Sequence, residues 1–319
     1  MTGRVLVLGS LNVDSTSYVE RFPAPGETVA ATGFAVALGG KGTNQAVAAH
    51  LAGASVDLVA RVGTDAAGGY AIDTVRGFGL PTAGIEAVAD AATGVAQITV
   101  AASGENTVIV SAGSNAGVTA AVVDAHREQL AGAGVAVTQG ELPVDAIERL
   151  AAVCSAAGTR FLLNLAPPVA ISAEALAVAD PLVVNEHEAT ALGLGDPGDD
   201  SLDAWLAVAE AAAGSRCRSI VITLGSRGAV SAAGGASVET PTRSGTLCEA
   251  PRVRAVDTTG AGDCFTGTLA AFLAEGVDLS AAVRLAVAAG ALSVTGRGTV
   301  GSYADRAGIL AFAARSGLA

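Results

Sequence analysis

Short runs of consecutive apolar residues recur along the chain. Each is followed by a longer stretch in which apolar residues return every three or four positions. "RVLVLG" (4–9), "VDLVARVG" (56–63), "VAVTQG" (135–140), "RFLLNL" (160–165), "PLVVNE" (181–186) and "SIVITLG" (219–225) have the length and composition of buried strands. Ala- and Leu-rich stretches of helical period lie between them, near 42–53, 66–78, 119–131, 143–157 and 201–213. Strands that do not alternate polar with apolar are covered on both faces. This order therefore predicts an α/β fold, a doubly wound and largely parallel sheet flanked by helices. Such sheets bind ligands beyond the carboxyl ends of their strands. Asn12, Asp14, Glu141, Asn185 and Thr223 fall at or just past those ends.

Residues 15–38 and about 85–112 break the alternation. Both read as extended, the second as "GVAQITVAASGENTVIVSAGS", two runs around a Gly-containing turn. They predict either a small β-sheet lid over the strand ends or an extra hairpin on the sheet edge. No Pro/Ser linker or internal repeat divides the chain, so 1–319 reads as one domain. "GDPGDD" (195–200) reads as a loop followed by a helix cap.

Composition narrows the function. With 51% hydrophobic and 15% charged residues the chain can bury a sizeable core, yet it has no apolar run long enough to span a bilayer. Met-Thr-Gly-Arg leads directly into a strand, with no separate apolar segment of a signal peptide, so a cytoplasmic protein is expected. The net charge is −12, without a basic cluster, which argues against a nucleic-acid partner. Cys154, Cys217, Cys248 and Cys264 are scattered, with no C-x-x-C, and read as reduced thiols. His50, His126 and His187 lie too far apart in sequence to suggest a histidine metal site.

Three glycine motifs differ in weight. Gly193, Gly195 and Gly198 satisfy G-x-G-x-x-G, but a helical segment precedes them and Pro197 interrupts the loop, so no dinucleotide site is expected. "LGGKGTNQAVAAHLAGA" (38–54) is a loop leading into a helix. Gly39 and Gly40 permit close backbone approach to a ligand, Thr43 can cap, and Lys41 and Asn44 offer donors. A tight turn with a solvated lysine is the alternative. "DTTGAGDCFTGTLAAFLA" (257–274) is again loop-to-helix, with Gly260, Ala261 and Gly262 immediately before Asp263. Consecutive amides at a helix N-terminus can receive phosphate charge without a lysine. Asp263 then reads either as a base beside the reacting centre or as an acid complementing the helix dipole.

Taken in order, "GSLNVD" (9–14), "GGKGTNQA" (39–46), "QGE" (139–141), "NEHE" (185–188), "TLGSRG" (223–228) and "DTTGAGD" (257–263) resemble the ribokinase-like sugar kinases, the PfkB carbohydrate-kinase family. The resemblance runs essentially end to end. "FPAPGETV" (22–29) and the Gln-x-Glu at 139–141 are most similar to the ribose-phosphorylating members. It implies ATP-dependent phosphorylation of ribose at its 5-hydroxyl, a β-sheet lid that makes a homodimer contact, magnesium, and a potassium activator. It assigns Asn12, Asp14, Gly40, Lys41, Asn44 and Glu141 to the sugar, with Asp263 as base and Gly260, Ala261 and Gly262 as anion hole. Asn185 with Thr223, Leu224, Gly225, Ser226, Arg227 and Gly228 would border the nucleotide, and Glu188 would reach magnesium through water. The alternative for Glu188 is a solvated helix acid. The Asp257 carboxylate and Thr259 carbonyl, with oxygens of Ser293, Gly296, Gly298 and Ser302, would surround the monovalent cation. Otherwise Asp257 is a turn former.

Two features depart from the family pattern. Val287 stands where many relatives have His or Asn near the adenine, and the 233–250 segment is long. Two rival functions remain. Few aromatic residues are available to hold a base, which disfavours a nucleoside kinase, and only Lys41 offers positive charge for a sugar phosphate. A non-catalytic sugar- or nucleotide-binding protein would have no need of Asp263.

Overall fold

The computed structural model describes residues 3–199, 201–234 and 244–319. The first half of the chain forms β1 (Arg4–Leu8), β2 (Asn12–Val19), β3 (Gly33–Gly39), α1 (Lys41–Leu51), β4 (Ser55–Gly63), α2 (Ala66–Gly77), β5 (Ile85–Val88), β6 (Gly94–Ala101), β7 (Asn106–Ser111), α3 (Ala120–Ala125), α4 (Arg127–Ala131), β8 (Val135–Gln139) and α5 (Val144–Ala157). The second half forms β9 (Arg160–Asn164), α6 (Ala173–Val178), β10 (Leu182–Asn185), α7 (Glu186–Ala191), α8 (Leu202–Ala212), β11 (Ser219–Thr223), β12 (Gly228–Ala233), β13 (Ser244–Glu249), α9 (Ala261–Ala274), α10 (Leu279–Ser293) and α11 (Arg306–Arg315).

All six apolar runs are strands of one nine-stranded sheet, in the order β13-β12-β11-β10-β9-β8-β1-β4-β5. Pairing is parallel from β5 through to β11, and β12 alone is reversed, pairing antiparallel with both β11 and β13. The unbroken apolar runs follow from cover on both faces. In β1, Val5 and Val7 pack into the core formed with α1, α9 and α10, while Leu6 and Leu8 enter the opposite core under α5 and α8. Each face therefore has its own buried cluster, as the doubly wound expectation requires.

A second sheet of four strands, in the order β3-β2-β6-β7, stands apart from the first. The lid expectation is met in kind but not in extent. Residues 85–88 form β5, which pairs parallel with β4 at the edge of the main sheet. The second lid segment is therefore 94–111, not 85–112. The first begins at Asn12, and residues 20–32 connect β2 to β3 without strand. Asn12 and Asp14, which follow the carboxyl end of β1, accordingly sit on the first lid strand. Register decides what each lid face carries. The row Ala37–Asp14–Ala96–Val110 points one way, and the row Val36–Ser15–Gln97–Ile109 points the other.

Smaller differences have local causes. The expected helix 119–131 is broken at His126, whose backbone leaves the helical region. Ser201 caps α8 through its hydroxyl, and residue 200 of the expected 195–200 loop lies outside the described residues. Part of the long 233–250 segment, residues 235–243, lies outside the described residues. All four cysteines are free and buried, and burial pushes the Cys154, Cys217 and Cys264 thiols up to about 12. No helix among the described residues is long and apolar enough to cross a membrane.

Candidate active site

Two adjoining clefts lie at the carboxyl ends of the parallel strands. The larger, about 670 Å³, is lined by Thr223, Gly225, Ser226 and Gly228, by the 250–255 segment, and by Val287 and Val294 of the α10 side. The smaller, about 150 Å³, is lined by Lys41, Asn164, Asn185, Glu188, Gly260 and Asp263 among others. Thr223, Thr258, Ala261 and Gly262 line both. The start of α9 is therefore where the two spaces meet.

That start is built for an anion. Gly260 precedes the helix with φ 75°, a left-handed conformation favourable to glycine. A Cβ there would lie 2.2 Å from Thr299 and 2.7 Å from the Tyr303 hydroxyl, which donates to the Gly260 carbonyl at 2.8 Å. No side chain caps α9, and the Gly262 and Asp263 amides have no partner among the described residues. A Cβ on Gly262 would meet no described atom within 4 Å. The first turn thus offers N–H groups and the positive end of the helix dipole to open space.

Asp263 follows in the same turn and is buried. Asn44 Nδ2 donates to its Oδ2 at 2.9 Å and Gln45 Nε2 donates to its Oδ1 at 3.0 Å. Both donors come from α1, which packs directly against α9. Asn44, expected to bind sugar, donates to this carboxylate, while its own Oδ1 is buried without a partner among the described residues.

The start of α1 is filled by the protein's own atoms. Gly40 has φ 87°, and a Cβ would come within 2.8 Å of the Ser10 carbonyl. At Gly39 a Cβ would lie 2.1 Å from the Asp14 carboxylate. The close approach expected of these glycines is thus made with Ser10 and Asp14. Thr43 does not cap α1; its hydroxyl donates to the Ser10 carbonyl at 3.0 Å. The Lys41 amide donates to Glu141 Oε2 at 3.1 Å, and the Ser10 hydroxyl donates to the same atom at 2.5 Å. Glu141 is held in place from two sides.

Asp14 has a different environment. Its Oδ1 is buried and has no hydrogen-bond partner among the described residues. Burial, reinforced by the charges of Glu141 and Asp263, pushes its carboxyl up to about 6. Lys41 lies among these acids. Asp263 raises its pKa most, burial opposes, and Glu141 and Glu188 add to the rise, so the ammonium stays charged. Asn12 is buried and lines neither cleft, and its Oδ1 accepts from Asn115 Nδ2 at 2.7 Å. Asn115 lies in the 3₁₀ turn Gly113–Gly117 that follows the lid and also holds the Leu11 backbone from both sides.

On the nucleotide side, Asn185 caps α7 in a reciprocal box: its side chain accepts from the Glu188 amide, and Glu188 Oε2 accepts from the Asn185 amide, both at 2.8 Å. Glu188 is therefore an oriented acid facing the cleft, not a solvated one, and burial raises its pKa. Thr223, Gly225, Ser226 and Gly228 line the larger cleft as expected. Leu224 does not; it is buried in the core beneath. Arg227 makes an ion pair with Glu186.

The residues expected to surround a monovalent cation fall together beside the anion hole. Asp257 accepts the Thr259 amide at 3.0 Å and the Gly298 amide at 2.9 Å. Burial works against its charge, but these amides prevail and its pKa is lowered. Gly296 packs against Ser302 and the Ser293 carbonyl.

Sequence reasoning gave no role to Ser10, Gln45, Asn115, Gln139, Asn164 and Tyr303. Ser10, Gln45 and Gln139 lie inside the quoted "GSLNVD", "GGKGTNQA" and "QGE", where only other residues drew roles. Asn164 lines the smaller cleft, and Asn115 and Tyr303 bear on the site through partners distant in sequence.

The comparisons with known proteins agree with this geometry. The family model described as pfkB family carbohydrate kinase matches residues 2–306. A ribokinase of Haemophilus influenzae is 33% identical over 314 residues, covering 98% of this chain and 99% of its own. A deoxyribokinase of Salmonella typhi is also 33% identical, over 300 residues covering 94% and 95%. The structure of Arabidopsis thaliana ribokinase complexed with ribose and ATP superposes with a TM-score of 0.86 at 28% identity, covering 98% of this chain and 99% of that one. This chain therefore belongs to the pfkB family of carbohydrate kinases.

Proposed function

We propose that this kinase transfers the γ-phosphoryl group of ATP to the 5-hydroxyl of D-ribose. One observation carries the reading. The uncapped start of α9 lies where the larger and smaller clefts meet, and its buried carboxylate, Asp263, faces the smaller one. In this account the larger cleft takes ATP, and Asp14, Glu141 and Lys41 hold sugar hydroxyls. Asp14 Oδ1, a buried acceptor lacking a partner among the described residues, is the atom best suited to a ligand hydroxyl. The ribose oxygen attacks phosphorus as its proton passes to Asp263. The bond to the β-phosphate oxygen breaks and ADP leaves. The Gly262 and Asp263 amides receive charge developing on the transferred group.

Magnesium, when bound, would neutralise charge on the phosphates, and Glu188 would reach it through water using the oxygen not engaged by Asn185. The oxygen-only donor set around Asp257 suits a large monovalent cation such as potassium. There it would stiffen the loop that carries Gly260. The outward lid face, with Phe34, Val36 and Ile109 exposed, suits a second copy of the chain, hence a homodimer. An ATP-consuming sugar kinase of this kind belongs in the cytoplasm.

The test is ATP turnover with ribose, 2-deoxyribose, hexoses and nucleosides, in potassium, sodium and a bulky organic cation. Ribose in potassium is expected to give the highest kcat/KM. A higher value with 2-deoxyribose would move the reading to the chemistry named for the Salmonella relative. Equal rates in all three cations would remove the cation site alone. ATP turnover unaffected by any sugar would overturn the function.

A further inference from the structure

We infer that Gln45 is a positioning residue for Asp263, and that Gln139 supports it by donating to the Gln45 carbonyl. The inference rests on Asp263 being the base. Gln45 is fully buried in the first half of α1. Its Nε2 donates to Asp263 Oδ1 at 3.0 Å and to Asn164 Oδ1 at 2.9 Å. Its Oε1 accepts from Gln139 Nε2 at 2.8 Å. Asn164 is oriented in turn, donating through Nδ2 to the Val183 carbonyl at 3.0 Å. A flipped Gln45 would set its carbonyl against two acceptors and its NH2 against a donor. Only one orientation satisfies the set.

This arrangement does two things for a base. It fixes the rotation of the carboxylate so that a lone pair not used by Asn44 or Gln45 faces the smaller cleft. It also keeps an amide N–H donor on the carboxylate that must accept the proton. The other titratable groups around Asp263 do not replace this donation. Lys41 on α1 is shared with Glu141 and Glu188, Asp14 on β2 is a like charge, and Tyr303 and Cys264 are buried groups that burial keeps neutral. Gln139, on β8, touches neither cleft, yet it is fully buried, donates to Gln45, and has no partner for its own Oε1 among the described residues.

The experiment measures kcat and KM for ribose and ATP across pH 5 to 10 in the full chain, for Gln45→Met and Gln139→Met. Methionine keeps the volume and removes the amide. For Gln45→Met, kcat at pH 7 is expected to fall roughly tenfold, and the acid limb of kcat/KM to move up by about one pH unit. Both KM values should stay within about twofold. Gln139→Met is expected to shift the limb the same way by less, and the double variant to add little to Gln45→Met. A uniform loss of rate at every pH, with the limb unmoved, would mean the amides are structural and overturn the inference. If Gln45→Met does not fold, the profile of Gln139→Met decides. Asp263→Asn is run in parallel. If it is active, the base assignment falls. If it is inactive while the limb stays fixed in both glutamine variants, only the inference about Gln45 falls.

Discussion

Helices α1 and α9 both begin directly after a glycine of positive φ, Gly40 at 87° and Gly260 at 75°, and neither has a side-chain cap. In α1 the first amides are taken by the protein itself: Lys41 by Glu141, and Gly42 and Thr43 by the Ser10 hydroxyl and carbonyl. In α9 the Gly262 and Asp263 amides face the cleft without a partner among the described residues. Two loops of the same kind thus serve different ends. One spends its donors to hold Glu141 and the turn after β1, and the other keeps them for a ligand. A glycine-rich helix start is a phosphate site only where its donors remain unspent.

Filling each helix start should separate the two uses. Gly262→Val places a side chain where no described atom lies within 4 Å. It should leave folding intact and reduce turnover by about 10²- to 10³-fold, the scale seen when one such donor is lost. Steady-state kinetics with a urea melt on the same preparation checks both halves.

On the sugar side, Asp14→Ala should raise the KM for ribose by about 100-fold while the KM for ATP stays unchanged, because a site built on hydroxyl acceptors depends on each one. An unchanged ribose KM would take Asp14 out of the pocket.

Gly42→Ala at the α1 start should act on stability instead. Its Cβ would lie 2.4 Å from the Gly9 Cα and 2.5 Å from the Ser10 nitrogen, all backbone. A loss of about 2 kcal/mol in unfolding free energy, read from denaturant melts, is expected. A variant as stable as the parent would mean that the two helix starts are not distinguished by packing.

The smallest effect concerns pH. Asp14 is raised from its ordinary 3.8 to about 6 by burial and by Glu141 and Asp263. A raised carboxyl binds more protons folded than unfolded between those two values, so it lowers stability as pH rises through that window. Asp14→Asn should therefore stabilise the ligand-free protein by about 1–2 kcal/mol at pH 8 and by almost nothing near pH 3.5. Thermal melts at both pH values read this difference.

Much of this contrast could be read from the chain, and the misreadings share a cause. β1, β4 and β8 to β11 were legible because burial on both faces writes continuous apolar runs. Gly260 to Asp263 were legible because glycines and an acid stand together in one loop. Residues 85–88 read as lid, since extended character does not tell which sheet a strand joins. The bond from Asn44 to Asp263 was not legible because the two lie 219 residues apart. Asn12 looked equally free, its partner Asn115 being 103 residues distant. Leu224 was grouped with its loop, although its side chain turns into the core. Gln45 and Gln139 stood inside quoted motifs, but the bonds joining them to Asn164 left no local signal, because that buried amide network exists only once α1, β8 and β9 are assembled.

The most direct test of the account is Asp263→Asn, with ribose binding measured by titration calorimetry and phosphoryl transfer followed by phosphorus NMR. Asparagine keeps the shape of Asp263 and removes its capacity to accept the proton. The account predicts ribose affinity within about threefold of the parent and transfer reduced by ~10²- to 10⁴-fold. Transfer at a rate near that of the parent would contradict it.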